Sequence, residues 1–399
     1  MSEKRHVFII GSKGIPAQYG GFETFVDELV SRRQSQELCY HVACCRDDWK
    51  NRKAELFSYR GADCFRIPRL PIGPAKAIAY DRDALRFCVA YIEKYRIEKP
   101  VIYILACRIG PFMGYYKRKI EKLGGTLLVN PDGHEWKRSK WSPLVRAYWR
   151  YSERLMVKHA DLLVCDSKNI QSYIDETYRA YRRPTTFIPY GADIRENGGD
   201  CEKAVQWLKK QGTLPGEYYL IVGRFVPENN YETMLREFAA SGTKKKLLVI
   251  TNVEKNKFYE NLRETTGFDK DERICFAGTV YDQELLAGIR RMAFAYLHGH
   301  EVGGTNPSLL EALGATGLNL LCDVSFNREV GQGGALYWNK EKGDLAALID
   351  RVEKFSPEKL AAMEKRAKER ILEDYRWSDI VERYERVFLE YYVTRDKKK

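Results

Sequence analysis

The densest group of chemically active side chains lies in the segment 130–141, which follows an apolar, strand-like run. These twelve residues hold two acids, one histidine, two tryptophans and three cations, a mixture that the interior of a helix or strand would not contain. Asp132 and His134 are candidate proton acceptors, and the neighbouring cations can hold a phosphate. A solvated loop with locally paired charges is the alternative, but such density at a strand end favours a functional site.

Asp166 and Tyr190 stand at the ends of the next two apolar runs. Asp166 precedes a helical pattern, so its structural interpretation is a helix N-cap. Tyr190 precedes the stretch that separates the two halves of the chain, and its structural interpretation is packing at a hinge. Taken alone, both positions favour the structural role.

Two glycine-containing loops have the composition of an anion cradle. In the first, Gly20 and Gly21 precede a helix and let backbone N–H groups face a ligand, although a plain strand–helix turn explains this loop equally well. In the second, Gly303 and Gly304 precede Pro307, which begins a helix whose N-terminus favours an anion at the same place. The second loop is the strongest single signal in the chain.

Two side chains of the second half extend this cradle. Arg224 ends the first strand of that half, where its fork-shaped guanidinium suits a diphosphate. Glu311 lies one helical turn beyond the second glycine loop and can reach a ribose hydroxyl. The first glycine loop does not read GxGxxG, so a dinucleotide site is not expected.

Strands and helices alternate along the chain, which is typical of parallel sheets covered by helices on both faces. The sequence predicts two doubly wound, Rossmann-like α/β domains, 1–193 and 200–377, separated by a polar, glycine-containing linker at 192–200. A C-terminal helix over 378–399 is expected to pack back on the first domain. Ligands of such sheets bind at the carboxyl ends of the strands, so these loops are expected to line a cleft between the domains. The predicted strands are 6–11, 40–45, 63–67, 101–107, 126–130, 161–165, 185–189, 218–224, 246–252, 274–278, 293–299, 318–322 and 335–338.

The charge distribution limits the partners. The chain of 399 residues carries a formal net charge of +12, and the segment 108–158 alone holds 12 basic and 4 acidic residues, a net +8. Nucleic acid, anionic lipid and phosphate-bearing substrates all fit such an excess. No nucleic-acid-binding motif is present, which disfavours the first of these.

Cysteine usage and hydropathy indicate a cytoplasmic protein. The ten cysteines lie mostly in apolar runs and include no CxxC pair, so they are expected to be small buried thiols and give no support to a zinc site. No apolar stretch approaches the ~20 residues of a membrane span, and the N-terminus lacks a signal-peptide layout.

The motifs together resemble those of retaining GT-B glycosyltransferases of family 4. The resemblance rests on GGFE after the first strand, on VGRFVPEN, and on the Pro-Ser-Leu-Leu-Glu helix. The segments PDGHEWKR, TNVEKNKFYENL and VGGTNPSLLEAL are similar to those of β-1,4-rhamnosyltransferases of bacterial capsule and cell-wall polysaccharide synthesis. The resemblance covers roughly residues 6–388.

The resemblance implies a donor, dTDP-β-L-rhamnose, and an acceptor, glucose or N-acetylglucosamine on a lipid diphosphate. It implies no metal and no cofactor, because protein cations and helix N-termini stabilise the leaving diphosphate. The enzyme would be cytoplasmic and peripheral at the inner face of the plasma membrane. A family 4 transferase that uses a UDP-sugar is the first alternative, and a GT-B nucleotide-sugar epimerase is a weaker one.

The resemblance also assigns residues. Asn229 stands where the family has a lysine, so Lys257 or its neighbour Lys255 would supply the second cation for the diphosphate. Glu311 matches the family's ribose contact, but Gly303 stands where the family has a second glutamate. The predicted catalytic group is Asp132, His134, Asp166 and Tyr190. The predicted donor contacts are Gly20, Gly21, Arg224, Asn229, Lys257, Gly303, Gly304, Thr305, Asn306 and Glu311. The predicted acceptor and membrane contacts are Glu23, Lys117, Arg118, Lys119, Trp136, Lys137 and Arg138.

Overall fold

The first part of the chain forms an eight-stranded sheet with helices between its strands. The computed structural model describes residues 4–17, 20–51, 53–138, 141–194 and 201–393. The strand order is β3-β4-β2-β1-β5-β6-β7-β8, and every pair is parallel except the edge pair β3–β4. The elements are β1 (Arg5–Ile10), α1 (Gly21–Ser31), β2 (Leu38–Arg46), β3 (Glu55–Tyr59), β4 (Ala62–Pro68), α2 (Lys76–Tyr95), β5 (Val101–Leu105), α3 (Gly110–Lys122), β6 (Thr126–Asn130), α4 (Pro143–His159), β7 (Leu162–Cys165), α5 (Lys168–Thr177) and β8 (Thr185–Phe187).

The second part forms a six-stranded, fully parallel sheet in the order β11-β10-β9-β12-β13-β14. Its elements are α6 (Cys201–Lys210), β9 (Tyr218–Val222), α7 (Tyr231–Ala240), β10 (Lys246–Ile250), α8 (Lys257–Thr266), β11 (Ile274–Gly278), α9 (Gln283–Met292), β12 (Ala295–His298), α10 (Pro307–Ala315), β13 (Asn319–Cys322), α11 (Ser325–Gly331), β14 (Leu336–Trp338), α12 (Asp344–Val352) and α13 (Pro357–Asp374).

Chain contacts define two units, residues 1–190 with 377–399 and residues 191–376. The last helix, α14 (Trp377–Val393), belongs to the first unit. Its Glu385 carboxylate accepts hydrogen bonds from the backbone N–H groups of Gln34 and Ser35 at 2.9 and 2.8 Å. The predicted linker residues 195–200 and the predicted helix end 394–399 lie outside the described residues.

Each sheet is an apolar layer because its central strands are buried on both faces. All five residues of β5 and of β6 are buried, and helix side chains such as Leu85 and Met113 pack against them. This double burial explains why the strands read as uninterrupted apolar runs in the sequence. The predicted α/β class and the doubly wound sheets are confirmed.

No helix among the described residues has the length and apolar character that crossing a membrane requires.

Candidate functional site

The first unit brings Asp132, Asp166 and Tyr190 together at the carboxyl edge of its sheet. They follow β6, β7 and β8, neighbouring parallel strands, so their loops open on the same edge. Burial raises the pKa of Tyr190 well above its usual value, and the charges of Asp166 and Asp132 add to this effect. The three predicted positions therefore form one group.

The helix after Asp166 is capped by a different residue. Ser167 is the N-cap of α5, and its hydroxyl accepts from the N–H groups of Asn169 and Ile170 at 3.1 and 3.4 Å. The interpretation of Asp166 as an N-cap is therefore wrong. Asp166 is only 3% exposed, and it lies close enough to Tyr190 for its charge to raise the pKa of that phenol. Helix capping therefore does not explain why a carboxylate is buried beside Tyr190.

The loop after β6 holds two side chains in strained backbone. Asp132 and His134 have φ of 59° and 48°, in the left-handed region that few non-glycine residues occupy. Asn130 fixes the loop, because its side-chain oxygen accepts from the N–H of Asp132 at 2.8 Å. Burial, and then the charge of Lys137, lower the pKa of His134 to about 4, so its imidazole is neutral at pH 7. Residues in such backbone concentrate at functional sites.

Glu153 of α4 is a member of this site that the sequence analysis missed. Its carboxylate accepts hydrogen bonds from the hydroxyls of Tyr173 and Tyr178, both at 2.6 Å. Burial raises its pKa. The only signal in the sequence was an acid on the apolar face of an amphipathic helix. Glu153 lines a small cavity together with Cys107, Pro131, Asp132, Glu135, Trp136 and Trp149.

The predicted surface cations divide into two groups. Lys117 and Arg138 are each only 6% exposed, because they pair with Asp161 and Glu135. The prediction that these two contact a membrane surface is therefore wrong. The remaining predicted cations are less buried: Lys137 and Arg118 are exposed, Lys119 is half-buried, and Trp136 beside them is also half-buried.

Glu23 packs against the first glycine loop from the interior of the fold. Its side chain is buried, and the carboxylate accepts from the N–H of Lys13 at 2.6 Å. Gly20 has φ of 131°, and a Cβ there would lie 1.9 Å from the Glu23 carboxylate. The first of the two loop glycines therefore makes room for an internal acid. Gly21 is the first residue of α1, at the same loop.

In the second unit, Arg224 and Asn229 follow β9. Arg224 is exposed, and its backbone oxygen accepts from the Asn229 amide nitrogen at 2.7 Å. The amide oxygen of Asn229 accepts from His300 Nδ1, also at 2.7 Å. Asn229 thus ties the loop after β9 to the loop after β12, a role that a lysine at this position would not fill. Lys257 is exposed and is the first residue of α8, which follows β10.

Glu311 is held by a partner that the sequence analysis missed. Arg290 of α9 forms an ion pair with Glu311 at 2.6 Å and donates to the Ser308 hydroxyl at 3.1 Å. The arginine side chain is 4% exposed, whereas that of Glu311 is 35% exposed. The pair therefore leaves the carboxylate accessible at a fixed position. A buried cation on an amphipathic helix gives no distinctive motif, because its partner is distant along the chain.

The second glycine loop leads directly into α10. Gly303 has φ of 133°, which favours glycine, and Gly304 and Thr305 are buried. Asn306 is the N-cap, and its side chain accepts from the Ser308 N–H at 2.9 Å. Its amide oxygen is thus engaged by the helix, while the backbone of the loop stands before the helix N-terminus.

His298 at the end of β12 has an unused polar atom. The ring is buried, and within the described part of the chain its Nε2 has no hydrogen-bond partner. Burial lowers its pKa to about 3, so it is neutral at pH 7. A neutral ring with a free nitrogen can donate to or accept from a ligand.

Comparisons with known proteins place this geometry in a known fold. A family described as "Domain of unknown function (DUF1972)" matches residues 4–193. No curated protein matches the chain. Sucrose-phosphate synthase from Thermosynechococcus elongatus is similar in structure, with a TM-score of 0.80, 18% identity and coverage of 98% of this chain and 100% of that one.

Two further solved structures are similar. An α,α-trehalose-6-phosphate synthase from Burkholderia multivorans has a TM-score of 0.74, 11% identity and coverage of 99% of this chain and 98% of that one. HepE from Anabaena, in complex with UDP and glucose, has a TM-score of 0.68, 13% identity and coverage of 96% and 99%. These likenesses show that the chain has the GT-B fold of glycosyltransferases.

Proposed function

We propose that this protein is a glycosyltransferase whose second unit binds a nucleoside-diphosphate sugar. The observation that carries the proposal is the loop 303–306 before α10, with Glu311 fixed and accessible through its ion pair to Arg290. Backbone N–H groups and the helix N-terminus suit a diphosphate. An anchored carboxylate one turn further suits a ribose. Two similar solved structures, a trehalose-6-phosphate protein from E. coli and HepE from Anabaena, are bound to UDP-2-fluoro glucose and to UDP with glucose, which supports this ligand class.

The finer proposal concerns the donor and the acceptor. We infer transfer of L-rhamnose from dTDP-β-L-rhamnose to glucose or N-acetylglucosamine on a lipid diphosphate, in bacterial surface polysaccharide synthesis. Its support is the resemblance of the segments around Asp132, Lys257 and Gly303. A backbone N–H at Gly303 or Gly304, in place of a glutamate, suits a sugar with no hydroxyl at its sixth carbon.

In the proposed reaction the acceptor hydroxyl attacks the anomeric carbon on the face that the diphosphate leaves. The bond from that carbon to the phosphate oxygen breaks, and the leaving phosphate takes the proton of the hydroxyl. Arg224 and the loop 303–305 stabilise the developing charge on the diphosphate without a metal. Asp132 or Asp166 orients the acceptor or stabilises the positively charged sugar. His134, which is neutral at pH 7, adds a hydrogen bond without repelling that charge.

A UDP-sugar is the second candidate donor, and the Anabaena structure with UDP and glucose is the observation that favours it. We predict that dTDP raises the melting temperature more than UDP, GDP or ADP does. A nucleotide present at 100 times its Kd stabilises the folded protein by about 2.7 kcal/mol. Thermal-shift measurements with each nucleotide, with and without EDTA, check this.

The outcomes of that screen are distinct. A larger shift with UDP would replace the rhamnose donor by the second candidate. An absence of shifts with all four nucleotides, or shifts abolished by EDTA, would contradict a metal-independent nucleotide site.

We propose that the protein binds the membrane surface through α4. Its exposed face carries Leu144, which is 85% exposed, and Tyr151, which is 54% exposed. These residues are seven positions apart, so they lie on one side of the helix. The exposed Arg154 and Lys158 continue the same side. Cations that alternate with exposed apolar groups suit an anionic lipid surface, where a lipid-linked acceptor is found.

We predict binding to anionic vesicles that weakens with salt. Each cation near the surface contributes ~1 kcal/mol, so Arg154→Glu with Lys158→Glu should weaken binding at least ~30-fold. Lys209→Glu with Lys210→Glu, on an exposed end of α6, makes the same charge change elsewhere and serves as the control. Vesicle sedimentation measures both. Equal binding to neutral vesicles, or equal losses in the two double variants, would contradict the α4 surface.

A further inference from the structure

A cluster of histidine and cysteine side chains lies at the edge of the first sheet opposite to the catalytic group. His6 is the second residue of β1, and Cys39 is the second residue of β2 and its register partner. His41 follows two positions later, so it faces the same side of β2 as Cys39. The three side chains each offer one ligand atom, and these atoms all lie within 4.8 Å of one another.

We propose that His6, Cys39 and His41 bind a divalent ion of the zinc class. Two imidazoles with one thiolate suit Zn²⁺ and Co²⁺, whereas Mg²⁺ and Ca²⁺ prefer oxygen ligands. The ion would be held by His6 Nδ1, His41 Nε2 and Cys39 Sγ. Three protein ligands leave a fourth position for water.

The geometry of the two rings fits an inserted ion after a small shift. His6 Nδ1 and His41 Nε2 are 2.7 Å apart and share a hydrogen bond. Two nitrogens at zinc-bond lengths of ~2.0–2.1 Å in a tetrahedron are about 3.4 Å apart. His6 is half-buried near the beginning of its strand, and the separation of the two nitrogens has to increase by less than 1 Å. The ion would then replace the hydrogen bond between the rings.

His41 is held in the orientation that a ligand requires. Its ring stacks on Phe8, with centroids 4.3 Å apart and an interplanar angle of 9°, and packs against Tyr91 at 5.6 Å. Its other nitrogen, Nδ1, lies 3.6 Å from a carboxylate oxygen of Asp63. Metal-binding histidines generally direct their second nitrogen to such a carboxylate, which fixes the ring.

Asp63 also links the site to solvent. The same carboxylate oxygen accepts from the Cys39 thiol at 3.8 Å, and the Asp63 side chain is 54% exposed. An ion can enter on this side, and the thiol proton leaves to solvent as the thiolate forms. We assign Asp63 as a positioning residue that orients His41 and balances the charge of the bound ion.

The cysteine spacing gave no indication of this cluster, because its ligands come from two strands and include no CxxC pair. Its position at the opposite edge makes it independent of the proposed transferase site. An ion that joins β1 to β2 would stabilise the folded first unit and would leave nucleotide binding in the second unit unchanged.

The test uses the tag-free full-length protein, freed of metal and titrated with Zn²⁺ and Co²⁺. We expect one Zn²⁺ per chain, a higher melting temperature with Zn²⁺ but not with Mg²⁺, and a thiolate-to-cobalt charge-transfer band. His6→Gln with Cys39→Ser should lower Zn²⁺ affinity at least about 100-fold, and Asp63→Asn should lower it about 10- to 100-fold.

The control removes the same residue types elsewhere. His159→Gln with Cys201→Ser, both half-buried positions outside the cluster, should bind Zn²⁺ like the wild type. If the cluster variant folds poorly, Cys39→Ser alone still tests the proposal, because loss of the thiolate must abolish the thiolate-to-cobalt charge-transfer band. The proposal is overturned if less than one Zn²⁺ binds, if the band persists in Cys39→Ser, or if the control variant loses as much affinity as the cluster variant.

Discussion

Asp132→Asn or Asp166→Asn is expected to lower kcat by about 10²-fold or more while the protein stays folded. A group that stabilises developing charge in the transition state typically contributes this much, and its removal acts on kcat more than on KM. Asn is a suitable replacement at position 132, because it tolerates the left-handed backbone with φ of 59°. Its amide oxygen can also accept from the Gly133 N–H, as Asp132 does at 2.8 Å. Steady-state kinetics with dTDP-rhamnose and a lipid-linked acceptor sugar measure the effect.

Asp175→Asn is the matched control for these variants. Asp175 is exposed on α5 of the same unit and accepts a hydrogen bond from the Thr185 hydroxyl at 3.0 Å. Its replacement therefore removes one charge at a position outside the catalytic group. Its kcat should equal that of the wild type. Wild-type kcat in both Asp132→Asn and Asp166→Asn would refute a catalytic role for either acid. A loss in only one of them would identify the acid that contributes to catalysis.

The strands were predictable because burial on both faces leaves a mark in the sequence. The run at 101–107 is apolar throughout and the run at 126–130 has an apolar centre at 127–129, and both contain fully buried central strands of the first sheet. The strand Glu55–Tyr59 was missed, since it is an exposed or half-buried antiparallel edge strand with charged and polar residues. Its pairing depends on the neighbouring Ala62–Pro68, which no local pattern reveals.

The site was predictable where one loop carries several active residues. Asp132 and His134 come from a single loop, so their proximity follows from the sequence alone. Glu153 and Arg290 were missed because each lies on a helix and meets its partners only after the chain folds. Lys117 was misinterpreted for the same reason, since its carboxylate partner is 44 residues away along the chain. Charge counts therefore identify a basic segment but not the cations that face solvent.

Arg224→Ala is expected to weaken donor binding or transition-state stabilisation about 10- to 150-fold. A charge-assisted hydrogen bond to a diphosphate contributes ~1.5–3 kcal/mol, which corresponds to this range. Arg224 is exposed, and among the described residues it forms no ion pair, so its loss should leave the melting temperature unchanged. The measurements are kcat/KM for the donor and the nucleotide-induced thermal shift.

Two further variants make the Arg224 result specific. Arg224→Lys keeps the charge but loses the two-pronged contact, so its activity should fall between those of the wild type and Arg224→Ala. Arg291→Ala removes another exposed arginine of the same unit, on α9, and should retain wild-type kcat/KM. Full activity in Arg224→Ala, or equal losses in Arg224→Ala and Arg291→Ala, would remove Arg224 from the donor site. The diphosphate would then depend on the loop 303–305 and on Lys257, the exposed cation at the beginning of α8.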